Sequence, residues 1–291
     1  MLNMKLPASG AGTVKILADR PMNYKKTYVP HSGVNMLCRH GECSLSVMDF
    51  GIIELESGQS AEFCTEDREA GFVILSGEAD FSFDGTVWRS VGGRRSVFEG
   101  KAHSVYMPRR KKLTITAHMH TVIAAATCPV EEDTLPQLLT PEDTRSVVLG
   151  VKPCERYNDF LIDERSNAKY LTIGEAWITP GNWAGYPPHK HDEDRMPDEG
   201  IYEEIYFYQF QPQQGFALQR MYTKDGSIDE CYTVKHNDVV EFPRGYHTTV
   251  GAPGYNSYFL WMSAGKYQGF YRAFDPDHEW YAAAENMLKK L

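Results

Sequence analysis

The 291-residue chain is 42% hydrophobic and 24% charged, an ordinary globular balance with more length than one core usually needs, so two domains or one large all-β unit are expected. Its net charge of −9 is spread along the sequence without a basic stripe, which excludes the electrostatic footprint of nucleic-acid binding and points to a small-molecule partner. No segment is long and apolar enough for a membrane span, and the six cysteines form no CxxC pair, which argues against a disulfide framework.

The opening MLNMKLPASGAG has one lysine and no apolar stretch of the kind a signal sequence needs, so a cytoplasmic location is expected. Cys38, Cys43, Cys64, Cys128, Cys154 and Cys231 then read as reduced packing residues; neither Cys154 nor Cys231 has a sequence neighbour that would make a nucleophilic thiolate. In the first half, GFVILSGEADFSFDG (71–85) and KKLTITAHMHTVIAAAT (111–127) are β-branched and aromatic runs bounded by turn residues, the pattern of an antiparallel sandwich or barrel. His118 and His120 lie on the second run as a His-x-His pair. Acids follow them only at Glu131 and Glu132 and no Pro-x-Gly-x-His comes after, so they read as packing or surface histidines.

The segment CPVEEDTLPQLLTPEDTRSVVLG (128–150), with three prolines and clustered acids, is the expected boundary. It divides the chain into an N-terminal barrel over 1–130, a linker over 131–146 and a C-terminal barrel over 147–291. The second half repeats the plan of the first in KYLTIGEAWITPG, EEIYFYQF and DVVEFPRGYHTTVG, which fits a duplicated β-barrel. Only PDHEWYAAAENMLKKL (276–291) reads as a helix, with Pro276 near its start and Lys289 and Lys290 suiting the negative end of its dipole.

The chemistry concentrates in YPPHKHDEDRMPDEGIYEE (186–204). Residues i and i+2 of a strand share a face, so His189 and His191 can present two imidazoles to one point inside a barrel. Two nitrogens do not hold a metal against water; three or four protein ligands are the norm. Glu203 and Glu204 open the next strand and only one can point inward, which parity alone does not decide. His247 follows the turn made by Pro243 and Gly245 and supplies a fourth candidate. The plain alternative, an acidic surface loop with incidental histidines, loses weight once His247 follows in this order. The remaining acids, Asp192, Glu193, Asp194, Asp198 and Glu199, read as a solvated flap.

With these residues in place, the sequence resembles the cupins, whose paired motifs surround one metal with two His and a Glu from the first motif and a His from the second. HKHDEDRMPDEGIYEEIYFY is similar to the first motif with a longer insert, and DVVEFPRGYH to the second. The resemblance implies a bicupin of two double-stranded β-helix (jelly-roll) barrels with a short C-terminal helix. It also implies a ligand set of His189, His191, Glu204 and His247, Glu204 being chosen because it leads directly into IYFY. In the first half, VILSGEA is similar to the end of a first motif, but the ligand positions fall near Cys64, Glu66 and Ala70, and His103 precedes its proline. The N-terminal barrel is therefore expected to be metal-free and structural.

YPPHKHD, EEIYFYQFQPQQGFALQRMYT, DVVEFPRGYH, VGAPGY and DPDHEW together resemble the family of 5-deoxy-glucuronate isomerases of myo-inositol catabolism, bicupins related to the uronate isomerases of the pectin pathway. That implies conversion of the aldose 5-deoxy-D-glucuronate to the ketose 5-dehydro-2-deoxy-D-gluconate through an enediol. A divalent metal would polarise the carbonyl, with Zn the first expectation for a His-rich site and Mn or Fe open. Glu203, Tyr246 or a metal-bound water are the candidates for moving the proton. Arg220 is the first choice for the substrate carboxylate, ahead of Lys190 and Arg244, because an arginine in an apolar strand suggests an anionic partner. Competing readings are an isomerase of 4-deoxy-5-keto uronates, an Fe(II) cupin dioxygenase and a non-catalytic sugar-binding cupin; a homo-oligomer is also an expectation, since bicupin strand edges are commonly covered.

Overall fold

In a computed structural model of the chain, residues 23–288 are described, the side chains of Asn286 and Leu288 apart. The expectations placed on the opening segment and on Lys289 and Lys290 lie outside those residues. The first half forms β1 (Lys25–Thr27), β2 (Gly33–Cys38), β3 (Asp49–Leu55), β4 (Ser60–Cys64), β5 (Arg68–Ser76), β6 (Glu78–Phe83), β7 (Thr86–Gly92), β8 (Ser104–Met107), β9 (Lys112–Ala117), β10 (Thr121–Pro129) and β11 (Gln137–Leu139). The second half forms β12 (Arg145–Leu149), β13 (Arg156–Ile162), β14 (Thr172–Ile178), β15 (Trp183–Lys190), β16 (Asp192–Arg195), β17 (Glu199–Gln211), β18 (Phe216–Tyr222), β19 (Asp229–Lys235), β20 (Asp238–Phe242), β21 (Tyr246–Gly251), β22 (Asn256–Gly265) and β23 (Ala273–Phe274), then α1 (Trp280–Leu288).

Each half is a pair of antiparallel sheets, and the two halves share one strand order. In the first, β11-β8-β5-β10-β3-β2 faces β4-β9-β6-β7; in the second, β1-β20-β17-β22-β14-β13-β12 faces β19-β18-β21-β15-β23. This is an all-β, two-barrel arrangement with one short terminal helix. β1 comes from the stretch expected in the first barrel, yet it pairs with β20 of the second. Within the expected linker, β11 joins the first half's sheet beside β8.

The two large sheets pack face to face, so their central strands are buried on both sides and read as nearly continuous apolar runs. On β17, Tyr206, Tyr208 and Phe210 fill the second barrel, while Ile205 and Phe207 enter the layer between the halves with Val73, Leu75 and Ile173. Phe72 and Ile74 of β5 point the other way, into the first barrel. The layer is tight: a Cβ on Gly71 would meet Ile173 Cδ1 at 2.5 Å.

Carboxylates clasp the halves reciprocally. Glu69 of β5 accepts the backbone N–H groups of Lys169, Tyr170 and Leu171 at 2.8–2.9 Å. Glu203 of β17 accepts those of Ser46 (2.6 Å) and Val47 (3.0 Å) in the opposite direction. Between them Arg94 and Glu175 form a buried ion pair at 2.5 Å, which Tyr258 completes by donating to Glu175 at 2.7 Å.

Local expectations are corrected at the start of the helix and at two cysteines, while the surface reading of His118 and His120 holds. α1 begins at Trp280, not near Pro276, because 276–279 are taken up by turns. His118 and His120 sit in the turn between β9 and β10, exposed, each bonded to one acid: His118 to Asp80 at 2.7 Å and His120 to Glu54 at 2.9 Å. All six cysteines are free, and Cys64 and Cys231 are exposed rather than packed.

Candidate metal centre

Strand register builds the centre. His189 on β15 stands directly opposite His247 on β21, and opposed residues of an antiparallel pair share a face. His247 is in turn opposite Met221 of β18, a residue of the second barrel's core, so that face is the interior. Glu204 has the inward parity of Tyr206 and Tyr208 on β17. Donor atoms of His189, Glu204 and His247 lie within 4.8 Å of one another, all buried. His191, two residues beyond His189, brings Nε2 to 3.1 Å from Glu204 Oε2, the distance at which His247 Nε2 also stands.

The turn before His247 needs its glycine. Gly245 has φ +91°, and a Cβ there would meet the Tyr222 carbonyl oxygen at 2.7 Å. Each imidazole is pinned through Nδ1 to a backbone carbonyl: His189 to Gly185 at 3.1 Å, His191 to Tyr202 at 2.7 Å and His247 to Gly245 at 3.4 Å. A carbonyl oxygen only accepts, so Nδ1 donates in all three rings, which leaves the Nε2 atoms of His191 and His247 facing Glu204. The Tyr202 ring, stacked on His191 at 3.9 Å, holds that imidazole flat.

These residues fit a divalent metal. Burial first, and then the charge of neighbouring His247 and Arg272, push the His189 imidazolium well below its ordinary range; burial also lowers His247, against the pull of Glu204, so the neutral form is favoured in both rings. Burial would raise the Glu204 carboxyl, but the two flanking histidines outweigh it and hold it at about 2, ionised. His247 Nε2 is buried without a hydrogen-bond partner, although Glu204 Oε2 is 3.1 Å away. Neutral imidazole lone pairs beside a carboxylate are a donor set for a cation.

The other residues singled out by sequence fall elsewhere. Glu203 points into the layer between the halves, where the 46–48 segment engages both oxygens. Tyr246 shares a face with Tyr222, ring centroids 5.5 Å apart, and therefore turns away from His247. Lys190 has the outward parity and binds Asp192 (2.6 Å), Glu193 (2.8 Å) and Glu199 (2.8 Å). Arg220 also faces outward, paired with Asp229 and stacked 4.9 Å from the Tyr222 ring centroid. Arg244 bonds to Ser227 at 3.0 Å and, with Glu203, lines a cavity of about 1070 Å³ between the halves that none of the four metal-ligand candidates touches. The expected solvated flap is a hairpin of β16 on β17, in which Glu193, Asp194 and Asp198 are exposed as expected and Asp192 is half-buried. Glu199 is fully buried within it and takes N–H bonds from Asp192 and Glu193.

Sequence reasoning missed Gln219, which is fully buried and accepts the Tyr208 hydroxyl proton at 2.6 Å, and the inward arginines Arg156 and Arg272. The alternation in FALQRMY could have shown Gln219 as the partner of Met221, on the opposite face from Arg220. A second donor cluster, Cys38, Cys43 and Glu241, also lies within 4.8 Å, but its carboxylate is already engaged by Lys26 at 2.7 Å and by the Ser44 N–H at 2.9 Å.

Comparison with known proteins identifies the family and the fold. The model of the KduI/IolB family matches residues 24–281. A 5-deoxy-glucuronate isomerase of Bacillus licheniformis is 38% identical over 239 residues, 81% of this chain and 88% of that protein. One of Geobacillus kaustophilus is 36% identical over 79% of this chain and 84% of its own length. Among solved structures, an IolB-like protein of Salmonella typhimurium LT2 superposes with a TM-score of 0.86 at 29% identity, covering 89% of this chain and 99% of that one. The oxalate decarboxylase of Bacillus subtilis, which has Mn(II) centres, matches at TM-score 0.58 and 13% identity over 88% of this chain and 80% of its own; it shares the cupin-like fold.

Proposed function

The chain belongs to the KduI/IolB family and is an isomerase, and from that premise we propose that it converts 5-deoxy-D-glucuronate to 5-dehydro-2-deoxy-D-gluconate in myo-inositol degradation, with a divalent metal at His189, His191, Glu204 and His247. The observation that supports the reading is the set of three imidazoles with Nδ1 tied to backbone carbonyls around one ionised glutamate, with Nε2 of His191 and of His247 each 3.1 Å from its carboxylate. Zn is the metal proposed first for this donor set, with Mn and Fe the alternatives to test. A cytoplasmic location is proposed with it, supported by six free cysteines.

When bound, the metal supplies Lewis acidity to the substrate carbonyl and stabilises negative charge developing on its oxygen. The protein's own groups orient and protect. The backbone carbonyls of Gly185, Tyr202 and Gly245 fix the ring tautomers, so no reorganisation is needed as charge develops. Burial and neighbouring Glu204 raise the Tyr206 hydroxyl well above its ordinary range, so this inward group, its ring 5.9 Å from His247, stays protonated and can donate to a sugar oxygen. Gln219 orients the Tyr208 hydroxyl on the same wall. Transfer of hydrogen from C2 to C1 through an enediol exposes the proton to exchange with solvent.

An NMR assay with 5-deoxy-D-glucuronate in deuterated water, with and without chelator, tests the proposal. Ketose formation with deuterium at the new methylene, lost on chelation and regained with added metal, is expected. No turnover of this substrate sinks the assignment, and undiminished turnover after verified metal removal sinks the role of the metal.

A further inference from the structure

With Arg220, Lys190 and Arg244 turned away from the interior, the cations that do face it stand out. Arg272 lies just before β23, two residues ahead of Phe274, which is opposite His189 in the β23–β15 register, and its guanidinium is held against the Phe274 ring on that side of the strand pair. Its guanidinium sits between aromatic rings, 5.1 Å from the centroid of Phe270 and 5.5 Å from that of Phe274. Arg156 on β13 is opposite Ile178 of β14, a core residue of the second barrel, and so also points inward; it is 5% exposed.

Among the described residues no carboxylate stands in a direct ion pair with either guanidinium, although the charge of Glu285 reaches Arg156. Among the described residues, Arg156 makes one hydrogen bond, from Nη1 to the Cys154 carbonyl at 3.1 Å, and Arg272 has only its ring contacts. Burial lowers Arg156 to about 10, and the nearby charge of Arg272 adds to this, while Glu285 of α1 pulls the other way. The Arg272 charge also reaches Tyr206 and the His189 ring, which places it on the metal's side of the barrel. A buried guanidinium that feels a second, half-buried one across the barrel costs free energy that an anion on this wall would recover.

We infer that Arg156 and Arg272 form the anion subsite of the barrel, taking the carboxylate of the sugar acid while its aldehyde end lies at the histidines. This rests on the isomerase reading for the identity of the carboxylate. A guanidinium fork matches a carboxylate in two parallel hydrogen bonds, and the Phe270 and Phe274 rings hold the Arg272 fork in one plane. The carboxylate and the aldehyde occupy opposite ends of the substrate, so a cation pair set apart from the ligand histidines fixes which end meets the metal.

The test compares wild type with Arg272→Gln, Arg272→Lys and Arg156→Gln as metal-loaded full chains. One arm measures KM and kcat with 5-deoxy-D-glucuronate; the other measures calorimetric binding of D-gluconate, a sugar acid with no aldehyde to isomerise, against sorbitol, its neutral counterpart. Arg272→Gln should raise KM by about tenfold or more with metal content unchanged, as loss of a charge-assisted contact requires. It should also abolish the preference for gluconate over sorbitol, and Arg272→Lys should restore part of that preference. If Arg156→Gln does not fold, the Arg272 variants decide alone. A wild type that holds gluconate no better than sorbitol overturns the inference, as does an Arg272→Gln enzyme whose KM stays within twofold of an active wild type. A wild type that binds gluconate through Arg272 but does not turn over 5-deoxy-D-glucuronate leaves the anion subsite standing and removes the isomerase reading.

Discussion

The two barrels place different chemistry on one frame. The strand order of β5, β8, β9 and β4 in the first matches that of β17, β20, β21 and β15 in the second, so residues can be paired by register. The consecutive acids Glu203 and Glu204 correspond to Glu69 and Ala70; the first of each pair clasps the other half, and the second faces its own barrel. His189 opposite His247 corresponds to Cys64 opposite Lys112. Even the turn is kept: PRG before Tyr246 matches PRR before Lys111, with Gly245 at φ +91° and Arg110 at φ +62°. The frame thus preserves the clasping glutamate in both halves but the imidazole–carboxylate set in one. Holding the halves together and presenting a candidate metal ligand are separable demands on adjacent residues of the same strand.

Substitutions at paired positions break or sharpen this comparison. The largest effect is expected from His189→Ala or His247→Ala, which should remove bound metal, measured by elemental analysis, and lower kcat/KM by at least about 10²-fold. Ala70→Glu puts the Glu204 carboxylate into the apolar partner barrel without histidines; an unpaired buried charge there should cost at least about 3 kcal/mol in urea denaturation. Glu69→Gln faces three backbone N–H groups with an amide that supplies donors of its own, and about 1–3 kcal/mol of stability should be lost while turnover per folded molecule is retained. Glu203→Gln should act in the same direction by a smaller amount, with kcat within about twofold; a hundredfold fall in kcat would return Glu203 to the chemistry. Lys112→Ala, the register counterpart of His247→Ala, should change stability by less than about 0.5 kcal/mol, because its ion pair with Glu62 is solvent-exposed.

The ligand candidates were legible because their spacing is local: i and i+2 on a strand, a glutamate opening the next, and Pro-x-Gly-x-His at a turn. The control pair His118 and His120 was legible for the same reason, since nothing after it completes a set. Glu203, Lys190, Arg220 and Tyr246 were misplaced because each sits one residue from an inward neighbour, and a one-residue shift on a strand reverses the face. Glu199 was misread because a run of acids looks solvated until Lys190 is seen to gather three of them.

The sequence by itself determined the class of fold and, through periodicity, short-range spacing and the cupin resemblance, the four side chains proposed as metal ligands. Only the tertiary structure decided what lies on the far side of each strand and what approaches from other strands. The clasp of Glu203 on residues 46–48 and that of Glu69 on residues 169–171 join segments a hundred or more residues apart. Such pairings arise from how whole sheets pack, and no local pattern encodes them.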